Sequence, residues 1–311
     1  MLEVFPDYYS EFRCIAGACR HSCCIGWEID IDPDKLDRYL TLTGPLGDRL
    51  RRSISLEGEP HFILDAQERC PFLNQDGLCD LILELGEESL CGICRDHPRF
   101  RNELPGRVES GLGLCCEAAA RLILGRDKPM KLVCTGTAEC EDAYVALRDR
   151  AVRLLQNPMV SLQFRADSLL ALLETGLPPV SMDRWAGLLL GLERLEDAWT
   201  VRLEQLRDGW REELLAPFEA HMKDRQEEYS RFMVYLLYRH LANAASEADL
   251  AARGAFAVWG WQLLRALGAL QYARTGVFDF GDQVELARLF SAELEYSDEN
   301  LYILLDALCD A

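Results

Sequence analysis

The chain has 311 residues, 49% hydrophobic and 27% charged, enough for one large core or two modest ones. Acidic residues outnumber basic ones 52 to 33, giving a net charge of −19, and both halves of the chain share the acidic excess. That balance speaks against nucleic acid and against an anionic membrane surface as partners. No apolar stretch reaches the roughly 20 residues of a membrane span. The opening Met1-Leu2-Glu3-Val4-Phe5-Pro6-Asp7 lacks the parts of a signal peptide, so a cytoplasmic location is expected.

Residues 1–135 read as an irregular region punctuated by Gly and Pro, among them Gly44-Pro45, Gly58, Pro60, Pro71, Gly77, Gly86, Pro98 and Pro105-Gly106. Trp27-Glu28-Ile29-Asp30-Ile31 alternates apolar and polar side chains and predicts a strand. Asp32 as N-cap and Pro33 at the first helical position open a helix to about Thr41. His61 to Leu64 is a second short strand, and Cys115 to Leu124 an Ala-rich helix ended by Gly125. Beyond residue 136, apolar residues recur at helical spacing over 139–156, 161–175, 181–208, 226–244, 248–272, 282–294 and 297–309. Ser181 and Ser297 suit N-caps, and breaks fall at Asn157-Pro158, Gly176 to Pro179, Pro217 and Gly276. The expected fold is mainly α: a cysteine-rich, metal-binding region with short strands over 1–135, packed on an all-α bundle of six or seven helices over 136–311.

Thirteen cysteines are present, all but Cys309 at or before Cys140. An odd count with no secretion signal argues against a disulfide framework and for thiolates on a metal. The clusters are Cys14-x4-Cys19-x3-Cys23-Cys24, then Cys70, Cys79 and Cys91-x2-Cys94, then Cys115-Cys116. Loops carrying thiolates at such spacings can turn back on a soft centre: zinc, copper(I) or an iron–sulfur cluster, but not calcium or magnesium. The spacing matches neither the two-cluster ferredoxin run, nor the C-x3-C-x2-C loop of radical enzymes, nor paired zinc-ribbon knuckles. It therefore fixes the ligand type and leaves the metal open. Cys14, Cys19, Cys23, Cys24, Cys70, Cys79 and Cys94 are the metal candidates; Cys134, Cys140 and Cys309 read instead as buried free thiols.

The same residues carry a family resemblance. Pro6-x-Tyr8, Phe12-x-Cys14-Ile15 and Cys19-x3-Cys23-Cys24-x-Gly26-Trp27-x-Ile29-x-Ile31-Asp32 are followed by Cys70-Pro71-Phe72-Leu73-Asn74, Asp76-Gly77-Leu78-Cys79, Leu85-Gly86-Glu87, Cys94-Arg95 and Pro98-Arg99. This order resembles the flagellin lysine-N-methylase family, which overlaps the cysteine-cluster proteins described as zinc or iron chelators. Leu114 to Leu124 is similar to a further family segment, in which Cys116 matches the cysteine. Glu228 to His240 and Ala292 to Leu308 are similar in a weaker, helical way. The resemblance implies methyl transfer from S-adenosylmethionine to flagellin lysines, with a [4Fe-4S] cluster as cofactor and zinc as the alternative metal. It adds Cys116 to the ligand candidates. Departures are Cys91, which is extra to the pattern, His97 in place of an aromatic residue, and Cys115 and Glu117 around Cys116.

Amine methylation needs a neutral nucleophile, and neutralising a free lysine at pH 7 costs about 4.6 kcal/mol. A site must desolvate the amine or supply a base. No Gly-rich strand–turn–helix fingerprint for the cofactor is present; Gly111-Leu-Gly113 reads as a turn. Arg95 and Arg99, with His97, Arg101 and Arg107, form the local basic strip. They suit recognition of a carboxylate such as the methionine end of the cofactor, or else ion pairs with Asp96, Glu103 and Glu109 on a solvated loop. Trp27 suits a screen beside the cysteines or an ordinary core role. Tyr8, Tyr9 and His21 lie near the first cysteines in sequence and are candidate bases. The stripe Tyr229, Phe232, Tyr235 and Tyr238 reads as core, His240 as a helix-packing residue and His221 as a surface one. The rival to an enzyme is a non-enzymatic zinc- or iron-binding protein with a structural or docking role.

Overall fold

The computed structural model describes residues 1–137 and 142–309; Cys140 lies outside the described residues. Among these the fold is mainly α, with fourteen α-helices and six short strands. Two compact units are present: a cysteine unit of Arg13–Phe100 with Cys116–Ala118, and a helical unit of Met1–Phe12, Arg101–Cys115 and Ala119–Ala311. Among the described residues, no helix is long and apolar enough to cross a membrane.

In the cysteine unit, Asp32 and Pro33 start the helix Pro33–Thr41 as the sequence predicts, but Asp32 caps another segment: its Oδ1 accepts from Gly92 N at 3.1 Å. A second helix, Pro45–Ser53, opens with proline after Gly44. The strand predicted over Trp27–Ile31 is not formed. The backbone is held instead by the isolated bridges Ile25↔Arg69 and Asp30↔His61, and by Phe62 N→Ile29 O and Ile31 N→Pro60 O. Its alternation records burial, with Ile29 and Ile31 in the core, rather than a ladder. His61 and Phe62 do pair, antiparallel, with Ile54 and Ser55. Ile29, Ile31, Tyr39, Leu50, Phe62, Phe72 and Leu81 form a small core that includes Cys70 and Cys91, with Cys24, Cys79 and Cys94 packed against it.

A four-stranded sheet, all but the first two residues of its edge strand belonging to the helical unit, has the order Arg99–Leu104, Arg107–Leu112, Leu2–Pro6, Leu132–Thr135. Leu2–Pro6 runs parallel to Arg107–Leu112 and antiparallel to Leu132–Thr135. Gly111, read as part of a turn, lies within its strand. Among the described residues, nine α-helices follow where six or seven are expected. The periodic stretch 181–208 is two helices, Met182–Leu190 and Asp197–Gly209. Arg194 donates to the carbonyls of Leu190 and Leu192, while the buried Glu293 carboxylate accepts from Leu195 N at 2.8 Å and Glu196 N at 2.7 Å. The break is therefore capped on both sides. Pro217 does not end a helix; it sits in the first turn of Leu215–His221, where its missing N–H is not needed. Gln226–His240 and the long helix Glu247–Thr275 form the centre, and Gly276 ends the latter at φ 72. Asp279 and Asp282 form a reciprocal capping box for Phe280–Phe290, which runs on into a π-turn, Ser291–Glu295, before Asp298–Cys309.

Candidate metal centre

Three loops of the cysteine unit gather its thiols. The Cys70–Cys79 loop closes as a tight hairpin: Asn74 Oδ1 accepts from Asp76 N and Leu78 N, both at 3.0 Å, and Asp80 N donates to Phe72 O at 2.9 Å. Arg49 pins its base, with a 2.6 Å ion pair to Asp80 and its guanidinium over the Phe72 ring. The Cys23-Cys24 segment docks beside it through Cys70 N→Cys24 O at 2.8 Å and Gly26 N→Glu68 O at 3.0 Å. The Cys14–Cys19 loop reaches the same hairpin at its tip. Gly17 lies so close to Asp76 O that a Cβ there would stand 2.5 Å away, and Gly77, at φ 71, faces Gly17. Ala16 in that loop is itself left-handed, at φ 47. Arg20 donates through its backbone N and Nε to Glu117, which anchors the loop beside Cys116.

Two groups of sulfur result. Cys24 is the common neighbour of the first: its charge acts on Cys70, Cys79 and Cys94, and Cys70 in turn feels Cys79 and Cys91. Cys91 and Cys94 share a sulfur–sulfur hydrogen bond at 3.4 Å. Cys23 belongs to the second group, with Cys24, Cys116 and Cys14 as its neighbours. Cys19 donates to His21 O at 3.1 Å. Among the described residues, no three or more His, Cys, Asp or Glu side chains close on one point as ligands of a single ion. The thiols are neighbours rather than a finished shell, and none of the described cysteines is in a disulfide.

Their ionisation reflects this crowding. Burial, slightly offset by the Phe72 N–H, pushes the Cys70 thiol up to about 12, and burial also raises Cys79. In the Cys23–Cys24 pair the shared hydrogen bond eases the first ionisation, with Cys24 at about 7, and opposes the second. The same holds for Cys91 and Cys94. Trp27 donates from Nε1 to Cys23 O at 2.5 Å, and its ring lies 5.9 Å from that of His97.

The remaining predicted residues are distributed as follows. Arg95 is exposed and pairs with its neighbour Asp96 at 3.1 Å; Arg99 donates to Arg95 O at 3.4 Å. Glu109, expected on a solvated loop, is fully buried in the helical unit between Arg107, at 2.5 Å, and Arg148. Cys134 and Cys309, expected in the core, are exposed. The stripe Tyr229, Phe232, Tyr235 and Tyr238 is core, as its spacing indicates, yet two hydroxyls are engaged. Tyr238 donates to Ser110 O at 2.9 Å, and Tyr235 to Glu295 Oε2 at 3.1 Å.

Tyr235 is part of a buried ionisable network that sequence reasoning missed. Glu295 also meets His240 Nε2 at 2.6 Å and Arg239 at 3.5 Å, while Arg239 donates to Tyr235 OH at 2.8 Å and lies over the Tyr296 ring. Burial opposes charge on Glu295, but Arg239 and His240 hold its carboxyl below the usual range; burial lowers His240. Glu295 and Tyr296 lie at the π-turn, and the one signal in sequence was the run of charge and tyrosine, Glu293-Leu294-Glu295-Tyr296, inside a helical period.

The described structure is thus a mainly α chain with crowded thiols in one unit. Comparison with known sequences is narrower. Residues 156–310 match the FliB lysine N-methylase C-terminal domain. The chain is 30% identical over 135 residues to the flagellar biosynthetic protein FliU of Salmonella muenchen, covering 41% of this chain and 79% of that protein. It is 29% identical over 141 residues to the lysine-N-methylase of Salmonella typhimurium, covering 41% of this chain and 33% of that protein. The lysine-N-methylase of Salmonella choleraesuis matches to the same extent. The chain belongs to the flagellin lysine-N-methylase family. Its match spans about a third of the length of the curated lysine-N-methylases. No solved structure matches.

Proposed function

We propose that this chain acts in a protein-lysine N-methyltransferase that moves a methyl group from S-adenosylmethionine to lysine side chains of flagellin, in the cytoplasm. The observation that carries this reading is family membership, joined to the gathering of family-pattern cysteines in one small unit. The donor set suits a soft centre: thiolates that oppose each other's ionisation when bare are stabilised together by a cation. Cys24, Cys70, Cys79 and Cys94 are the residues that would hold a [4Fe-4S] cluster, with Cys14, Cys19, Cys23 and Cys116 as the further candidates. Such a group, when bound, supplies a soft cationic centre that can order these loops or bind the amino and carboxylate groups of the methyl donor. Arg95 and Arg99 remain the proposed contacts for that carboxylate, through planar guanidinium bonds.

In the transfer itself, the lone pair of the lysine nitrogen attacks the sulfonium methyl in line. The carbon–sulfur bond breaks with its electrons going to sulfur, and the methylated nitrogen sheds a proton. The amine must therefore arrive neutral, which favours an acidic outer surface that gathers substrate over a reacting position that desolvates it.

Anaerobic purification followed by iron, sulfide and zinc analysis tests the cofactor. Iron with inorganic sulfide and visible absorption is expected, lost in Cys70→Ser and Cys94→Ser and kept in Cys309→Ser. A colourless chain with zinc and no sulfide would favour the non-enzymatic, zinc-binding reading. Flagellin incubated with this protein and isotopically labelled methyl donor should gain label on lysine; unlabelled lysines with the cofactor intact would remove flagellin as the substrate.

A further inference from the structure

We propose that Cys91 and Cys94 form a redox-active dithiol, a modification site at which small-molecule disulfides convert the pair into an intramolecular disulfide. The two sulfurs stand 3.4 Å apart across a single C-x2-C turn. Cys91 is the N-cap of Gly92–Asp96 and Cys94 lies in its first turn, so side chains three positions apart already share one face. Bond formation needs the sulfurs to close to about 2.05 Å, a change within reach of side-chain rotation on a fixed backbone. That backbone is fixed: Gly92 N is bonded to Asp32, and Tyr39 OH donates to Ser89 O at 2.6 Å just before the pair. A second hydrogen-bonded sulfur pair, Cys23 and Cys24, is adjacent in sequence, where side chains diverge and a disulfide would force a strained ring.

Exposure sets the order of events. Cys94 is half-buried and Cys91 is 1% exposed. The Cys94 sulfur attacks one sulfur of the small disulfide RSSR and displaces one RS⁻. The Cys91 sulfur then attacks Cys94 and displaces the second RS⁻. The two protein thiols lose two electrons and two protons, which leave on two molecules of RSH, and no other oxidant enters. A Cys94 sulfur committed to a disulfide offers no thiolate to a metal, so oxidation and ligation by Cys94 exclude one another. The dithiol itself requires no metal.

The test uses the full chain, held anaerobically with a chelator and titrated with mixtures of glutathione and glutathione disulfide, then acid-quenched and alkylated. Cleavage after Glu88 and Arg95 releases Ser89–Arg95, whose only cysteines are Cys91 and Cys94. This fragment should appear unalkylated and lighter by two hydrogens in mixtures where the exposed Cys134 and Cys309 carry single glutathione adducts. Cys91→Ser should instead trap glutathione on Cys94. A fragment alkylated at both cysteines while Cys134 and Cys309 have reacted would overturn the proposal, as would a link from Cys94 to Cys24 or Cys70.

Discussion

The His97 imidazole is held neutral by its surroundings. Burial, and then repulsion from Arg99, lower its pKa to about 4. In the unfolded chain a histidine protonates near 6.5. As pH falls from about 6.5 to about 4, the unfolded state takes up a proton that the folded state refuses, so stability is lost through that window and is fully present above it. The loss from this one side chain is about 3 kcal/mol at its limit. His240, lowered by burial in the helical unit, acts in the same direction. Urea unfolding of the metal-free chain at pH 7 and pH 4.5 should show a clear drop in midpoint for the natural sequence and a smaller drop for His97→Gln. Parallel drops in the two would show that His97 titrates normally in the fold. At this scale the sequence was partly informative: it marked His97 as standing where an aromatic residue belongs, and the ring does face Trp27. The C-x2-C spacing of Cys91 and Cys94 was visible in the sequence although Cys91 fits no family spacing; the 3.4 Å contact itself depends on the turn at Gly92.

Helices were legible because their signals are local. Ser181 stands at the N-cap of Met182–Leu190, and Ser297 accepts from Asn300 N at 3.3 Å before Asp298–Cys309; such caps, with apolar residues at helical spacing, settle an element without reference to the rest of the chain. The sheet was not legible, since Leu2–Pro6 finds its partners in Arg107–Leu112 and Leu132–Thr135, far along the chain, and its short run has no turn signal to declare it. Trp27–Ile31 shows the converse, alternation without a ladder. The candidate site divides in the same manner: the cysteine types and their loops were evident, whereas their sorting into a Cys24-centred and a Cys23-centred group depends on the docking of Cys70 N onto Cys24 O and of Gly17 onto Asp76. The long helix Glu247–Thr275 provides an element-scale test. A Cβ on Gly268 would lie 2.6 Å from Cζ of Phe218 and 3.2 Å from Cζ of Phe278, two rings that meet edge to face at 5.1 Å. Gly268→Ala should therefore destabilise by about 1–3 kcal/mol through overpacking. Gly187, in Met182–Leu190, has open space where a Cβ would go, and Gly187→Ala should be neutral or stabilising by up to about 1 kcal/mol. Equal effects at the two positions would show that helix propensity, not ring packing, governs Gly268.

For the whole molecule the governing quantity is charge. A net −19 spread over both halves of the chain gives the protein a long-range attraction for basic partners. For a lysine-directed enzyme this attraction has two opposed effects. It concentrates protonated lysines near the surface, but carboxylates in contact with the amine would stabilise its charged form and slow the chemistry. The attraction is useful only where it acts at a distance and fades at the point of reaction, and salt separates the two effects. Screening shortens from about 10 Å at 0.1 M to about 3 Å at 1 M, so it weakens capture across solvent and leaves contacts within a desolvated position almost unchanged. On the proposed function, raising sodium chloride from about 0.05 to about 0.3 M should increase the KM for flagellin several-fold with little change in kcat. Initial rates of methyl transfer from labelled donor over a flagellin series at each salt concentration measure both constants. A KM indifferent to salt would mean that the acidic surface takes no part in substrate capture, and a fall in kcat instead would place the sensitive charges at the reacting amine.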